Sequence, residues 1–233
     1  MAVSREPVVE LVATPVGDAR LTVHAVARPR ALVVLGHGAG RGTDTADLLG
    51  LAEDLPRERV AVVLVDQPWV LAGRRVAAPP ATLDVAWVAA LSGVRRPAGV
   101  GAGTPRVVGG SSAGARVACR TAAEVGARGV LLLAVPLLPP AARSSAAKRD
   151  AALATRLGEL ALPAAAGLPV VAAQGSRDAC GSATELAAAA GDLLEVVEVD
   201  DADHSLRTRA AGPDPRPTLL AAALRAVALA RGE

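Results

Sequence analysis

One serine in this chain sits in a setting that could make its hydroxyl a nucleophile. Residues 110–114 read Gly-Ser-Ser-Ala-Gly, so Ser112 has Gly110 two positions before it and Gly114 two after. That spacing lets a strand turn sharply into a helix and pushes the hydroxyl outward, and small neighbours suit a strained backbone that passes close to adjacent elements. Ser111 fails the same spacing, because position 113 is Ala113. In a chain with 23 glycines the pentapeptide also fits an ordinary glycine-softened turn, so it needs partners. A serine hydroxyl attacks well only when a base takes its proton, and the chain offers three histidines. His24 falls in an early strand and His37 in a glycine-rich turn, whereas His204 lies in the loop VDDADHSL after the last predicted strand. A carboxylate on a neighbouring loop would hold the imidazole tautomer and stabilise the imidazolium. Asp178, in QGSRDACGS, suits that role; Asp200, Asp201 and Asp203 are too near His204 along the chain to orient its ring toward a serine. A fourth feature is the turn Gly36-His37-Gly38-Ala39-Gly40. Main-chain N–H groups of Ala39 and Ala113 could meet the oxygen of a tetrahedral intermediate, where one donor is typically worth about 10²–10³ in rate.

These residues meet only if the elements between them deliver their loops to one edge. Val8 to Ala13 and Leu21 to Val26 read as an antiparallel pair around a Pro15, Gly17, Asp18 turn. Ala31 to Leu35, Val60 to Val65 and Gly129 to Val135 are short apolar runs of the kind buried on both faces, Pro169 to Gln174 and Leu193 to Val199 read as further strands, and Val107 and Val108 lead into the serine turn. Helices are predicted over 44–55, from Pro79 through Trp87, over 113–120, 149–160, 184–190 and 218–231, with loops at 94–104, 136–148 and 200–217. This alternation predicts a mostly parallel, doubly wound sheet with an N-terminal antiparallel hairpin and helices on both faces. In such sheets the reactive loops lie at the carboxyl ends of strands. The glycine turn, Ser112, Asp178 and His204 each follow a strand, so they converge.

Composition removes other function classes. A chain of 233 residues that is 52% hydrophobic fits one α/β domain over 1–233, and the interval between Val135 and Pro169 has room for one helix but no large lid. Net charge is only +2, with arginines single or in pairs such as Arg74 with Arg75 and Arg95 with Arg96, and Trp69 and Trp87 are the only aromatic residues besides histidine. A basic stripe and stacking platforms for nucleic acid are therefore missing. Cys119 and Cys180 fit neither a disulfide framework nor a metal-ligand spacing, so free thiols and no metal or other cofactor are expected. A metal cluster of Asp200, Asp201, Asp203 and His204 would lack a second histidine or cysteine pair. Dinucleotide binding fails on spacing, since the required glycines are replaced by Arg41 and Thr43. The charged N-terminal stretch MAVSREPVVE and the lack of an unbroken apolar run of about 20 residues predict a cytoplasmic protein outside the membrane.

The chain order Ser112, Asp178, His204 is that of the α/β-hydrolases. Taken together, LGHGAGRG, GGSSAGAR, QGSRDACG and DADHSL resemble the small α/β-hydrolases of the dienelactone-hydrolase-like group. That group includes the hydrolase-like domain of a subunit of a chromatin acetyltransferase complex. The stretch DQPWVLAGRR and the helix from Pro79 look similar to its actinobacterial members, so the resemblance spans residues 30–231. It implies an α/β-hydrolase fold, a Ser112, Asp178, His204 triad and hydrolysis of a small or soluble acyl ester or thioester, with no substrate specified. Ala113 stands where many relatives carry a larger residue, often Met, and Val70 where Arg would follow Trp69; both departures bear on substrate preference. A non-catalytic binding module and an acyltransferase are the alternatives on the same scaffold.

Overall fold

Runs of valine and leucine too short for helices form the strands β1 (Val8–Thr14), β2 (Gly17–His24), β3 (Ala31–Gly36), β4 (Val60–Asp66), β5 (Arg106–Ser111), β6 (Gly129–Leu133), β7 (Val170–Gly175) and β8 (Glu195–Val199). The computed structural model describes residues 6–40, 42–94 and 99–233; the first five residues of the N-terminal stretch, Arg41 of the glycine turn, and Arg95 and Arg96 of the loop before β5 lie outside them. The strands make one sheet in the order β1-β2-β4-β3-β5-β6-β7-β8. β1 pairs antiparallel with β2 and β2 with β4, and every other pairing is parallel. Each residue of β3, β4, β6 and β7 is buried, which is why these strands read as continuous apolar runs rather than as alternation.

Helices α1 (Ala46–Asp54), α2 (Pro68–Leu71), α3 (Pro80–Ser92), α4 (Ala113–Thr121), α5 (Ala146–Ala165), α6 (Ala183–Ala190) and α7 (Arg216–Arg231) connect the strands. On one face Leu48 and Leu51 of α1 and Leu219 and Val227 of α7 pack on Val33, Leu35 and Leu131. On the other, Trp87 of α3, Val117 of α4, Leu160 of α5 and Leu186 of α6 pack with Val34, Val63, Val108 and Leu132. Burying each Leu or Val contributes roughly 1.5–3 kcal/mol, so the two layers carry most of the stability. This is the predicted mostly parallel α/β sheet with its N-terminal hairpin and helices on both faces. No helix of the described residues is long and apolar enough to cross a membrane.

Several boundaries differ from the sequence expectation. Thr14 pairs with Gly17, so the hairpin loop is Pro15 and Val16 alone, and Gly17 and Asp18 belong to β2. The Thr14 hydroxyl donates to the Gly17 carbonyl at 2.5 Å, and Gly17 takes φ 117°. α5 starts three residues early because Ser145 caps it, accepting the Lys148 N–H at 3.3 Å, and it runs on to Ala165 with Pro163 in its last turn. A 3₁₀ turn over Pro140–Ser144 precedes it, and the short α2 was not predicted.

Three helices on the second face are tied by charge. Glu159 of α5 accepts from Arg116 of α4 at 2.9 Å, from Arg120 of α4 at 2.8 Å and from Arg156 one turn away, while Arg120 also donates to Asp84 of α3 at 2.7 Å. Removing the shared carboxylate leaves Arg156, itself buried, without its counter-charge. Glu159→Gln is therefore expected to lower unfolding free energy by about 3–5 kcal/mol, measured by urea denaturation.

Candidate active site

The turn between β5 and α4 is built by close approach. A Cβ on Gly110 would lie 2.4 Å from the Gly36 carbonyl oxygen of β3, and one on Gly114 would lie 2.7 Å from the same group. Both positions must be glycine for the turn to seat against the end of β3. Between them Ser112 takes φ 52° and ψ −103°, a strained conformation for a residue with a side chain, and its N–H is held by the Leu133 carbonyl at 2.8 Å. Ser111 ends β5 and Ser112 stands clear of it.

The structure brings Ser112, His204 and Asp178 together. Ser112 Oγ lies 3.0 Å from His204 Nε2, and His204 Nδ1 lies 2.8 and 3.0 Å from the two carboxylate oxygens of Asp178. With Asp178 accepting, Nδ1 carries the imidazole proton and Nε2 faces the serine as an acceptor. Asp178 is 4% exposed. Its oxygens are also met by the Cys180 N–H at 2.7 Å and by Gln174 Nε2 at 2.9 Å. The hydrogen bond that His204 donates to Asp178 raises the His204 pKa above the ordinary 6.5; partial burial opposes this, and the charges of Asp178 and Asp203 add to the rise. The linkage follows in sign: the His204 contribution to stability is complete below pH 6.5 and is lost as pH rises through the raised pKa.

The two turns that carry the predicted oxyanion donors lie side by side. Gly38 packs against Ser112, at 3.6 Å between Ser112 Cβ and a Cβ built on the glycine, and Gly38, Ala39, Ala113 and Gly114 line one small cavity. Neither the Ala39 nor the Ala113 N–H donates to an acceptor among the described residues. Asp200, Asp201 and Asp203 stay off the His204 ring. Asp203 instead accepts the Ser205 and Arg207 N–H groups at 2.8 and 3.2 Å, and Asp201 pairs with Arg177 and Arg209, so both fasten the histidine loop.

Three supporting residues escaped the sequence reading of the site. Gln174 bridges Asp178 to the backbone of Val135 and Gly181; a buried amide ending the apolar run VVAAQ was its signal. Asp66 accepts the Thr43 N–H at 2.7 Å and pairs with Arg20, tying the glycine turn to β2 and β4. His37 accepts the Gln67 N–H on Nε2 at 3.0 Å, and its Nδ1 meets the Gly38 carbonyl at 2.8 Å, so this histidine braces the turn.

Asp178, Cys180 and His204 offer ligand atoms within 4.8 Å of one another, which raises a metal site. The donor set does not fit one. Asp178 and His204 are bonded directly to each other, and burial, helped by the Asp178 charge, pushes the Cys180 thiol up, away from the thiolate a metal would need. Both cysteines are free thiols.

Comparison with known proteins agrees with this geometry at the level of fold. An α/β serine hydrolase without a lid from Xanthomonas campestris superposes with a TM-score of 0.68 at 17% identity, covering 94% of each chain. A dienelactone hydrolase from Anabaena variabilis gives 0.66 at 16% identity, covering 95% of this chain and 97% of its own. An α/β serine hydrolase homologue from Coxiella burnetii gives 0.65 at 16% identity, covering 97% and 96%. No curated protein matches the sequence significantly. The family model described as alpha/beta hydrolase domain matches residues 29–230, most of the chain, and the chain belongs to that family.

Proposed function

We propose that the chain is a serine hydrolase acting on a small or soluble acyl ester or thioester. The observation that carries this reading is the unbroken hydrogen-bonded line from Ser112 Oγ through His204 to Asp178. In this mechanism His204 Nε2 takes the Ser112 proton as Oγ attacks the acyl carbonyl, and Asp178 stabilises the imidazolium. The Ala39 and Ala113 N–H groups receive the oxyanion. His204 then protonates the departing oxygen or sulfur, and a water activated by the same imidazole releases the acid. We further place the chain as one domain over 1–233 without a large lid, cytoplasmic, in the dienelactone-hydrolase-like group.

A fluorophosphonate probe followed by peptide mapping tests the reading against a non-catalytic module. Labelling at Ser112 in the wild type and none in Ser112→Ala supports the enzyme. Absence of labelling in folded wild-type protein overturns it. The pH profile is a second test, because only neutral His204 accepts the proton. Ester kcat/KM should rise with pH to a plateau, with its midpoint above 6.5, while the stability contributed by the His204–Asp178 pair falls over the same range. Initial rates and thermal melts on one buffer series measure both.

A further inference from the structure

We propose that the leaving group of the substrate is an alcohol with an apolar chain, laid along a groove between α1 and the chain that follows His204; this rests on the serine-hydrolase reading above. His204 must hand its proton to the departing oxygen, so the leaving group sits on the side of Ser112 that His204 occupies. A cavity of about 260 Å³ there is lined by Ser112, His204 and Ser205, and by Ala46 of α1. Ala46, Asp47 and Arg207 also line a second cavity, of about 510 Å³, so the two are continuous and lead away from the nucleophile. In both the wall is more apolar than polar.

One face of α1 forms a side of the second cavity. Ala46, Leu49 and Glu53 are spaced three and four residues apart, so they share that face, and all three line the cavity. Leu49 is 43% exposed, whereas Leu48 and Leu51 of the same helix are buried in the core. Gly50 beside it adds no side chain to fill the space. Where the groove ends at Glu53, the charges are taken: Arg216 pairs with Glu53 and Asp54 at 3.0 and 2.9 Å, and its main-chain N–H donates to Asp214 at 3.0 Å. What Ala46 and Leu49 offer an occupant is apolar surface, which rewards buried methylenes. From Ala46 to Glu53 the helix advances roughly 10 Å, about eight bonds of extended chain, so the groove takes an alkyl alcohol of about that length.

The test compares kcat/KM for ethyl acetate, hexyl acetate and ethyl hexanoate, the last two being isomers that carry the chain on opposite sides of the ester. The wild type is expected to favour hexyl acetate over ethyl acetate by about 10-fold or more, roughly twofold for each added methylene in an open groove, where full burial of one is worth roughly fourfold. Hexyl acetate should also be the better of the two isomers. Leu49→Asp should move the hexyl-to-ethyl ratio toward one, and Leu49→Ser should fall between. Val85→Asp, at an equally exposed apolar residue of α3 outside the groove, should leave the ratio as it is. Because the readout is a ratio within one protein, a loss of folded fraction cancels. Equal rates for the two acetates, an advantage of hexyl acetate that survives Leu49→Asp, or a higher kcat/KM for ethyl hexanoate each overturns the inference and leaves the hydrolase reading standing. Hydrolysis of none of the three also overturns it, and when the fluorophosphonate fails to label the protein as well, the hydrolase reading goes with it.

Discussion

Ser112→Ala is expected to reduce kcat for ester hydrolysis by about 10⁶-fold while leaving the fold intact. Ser112 Oγ is the hydroxyl that His204 Nε2 faces, at 3.0 Å, and alanine offers nothing in its place. The neighbouring Ser111 ends β5, and its backbone would have to leave the strand to bring its oxygen to the imidazole. Stability should change little, because the strained φ of 52° is retained by alanine and the N–H bond to Leu133 is a backbone bond. His204→Ala should cost about as much, and the double variant no more than either single one, since a nucleophile without its base and a base without its nucleophile fail alike. The residual rate would report the Ala39 and Ala113 donors acting alone. Initial rates with an acetate ester, beside thermal melts, measure all three variants. Turnover in Ser112→Ala above about 1% of wild type would move the nucleophile elsewhere and end the assignment; the reference is the about 10⁶-fold loss a working triad shows.

The reason the sequence was informative about this site is that its parts are punctuation. Glycines 110 and 114 are forced by backbone atoms 2.4 and 2.7 Å from where a Cβ would stand, so the pattern in the letters reflects a steric fact. Asp178 and His204 were legible for a similar reason, each being a polar residue in the loop that follows a strand. What could not be read were residues whose partners are distant in the chain. Gln174 reaches Val135, 39 positions away, and Arg20 reaches Asp66, 46 positions away. Asp66 directly follows the apolar run Val60 to Val65, a place that fits a dinucleotide site as well as a clamp on the glycine turn. Boundaries slipped where side-chain capping decided them, as at Ser145, and where the hairpin needed a tighter loop than its Pro and Gly implied.

The second large effect is expected for Asp178→Asn, with kcat falling about 10⁴-fold. Both carboxylate oxygens of Asp178 are acceptors: one faces the Cys180 N–H at 2.7 Å, the other Gln174 Nε2 at 2.9 Å, and both lie within 3.0 Å of His204 Nδ1. An asparagine has one oxygen for these three donors. If its NH₂ turns to the ring, Nδ1 must become the acceptor and Nε2–H then points at Ser112, the tautomer that cannot take the serine proton. If its oxygen keeps the ring, the NH₂ opposes Cys180 or Gln174, and the acid loop loses a buried bond, at about 1–3 kcal/mol. A second readout separates this from simple loss of structure. The Asp178 hydrogen bond is the largest cause raising the His204 pKa, with its charge adding to it, so the midpoint of the remaining pH–rate profile should move down in Asp178→Asn. Asp203→Asn should move it less, because that carboxylate acts on the ring through charge alone and is occupied by the Ser205 and Arg207 N–H groups. An unchanged rate and midpoint in Asp178→Asn, with both falling in Asp203→Asn, would transfer the acid role to Asp203, whose oxygen would then have to leave its own turn to reach Nδ1.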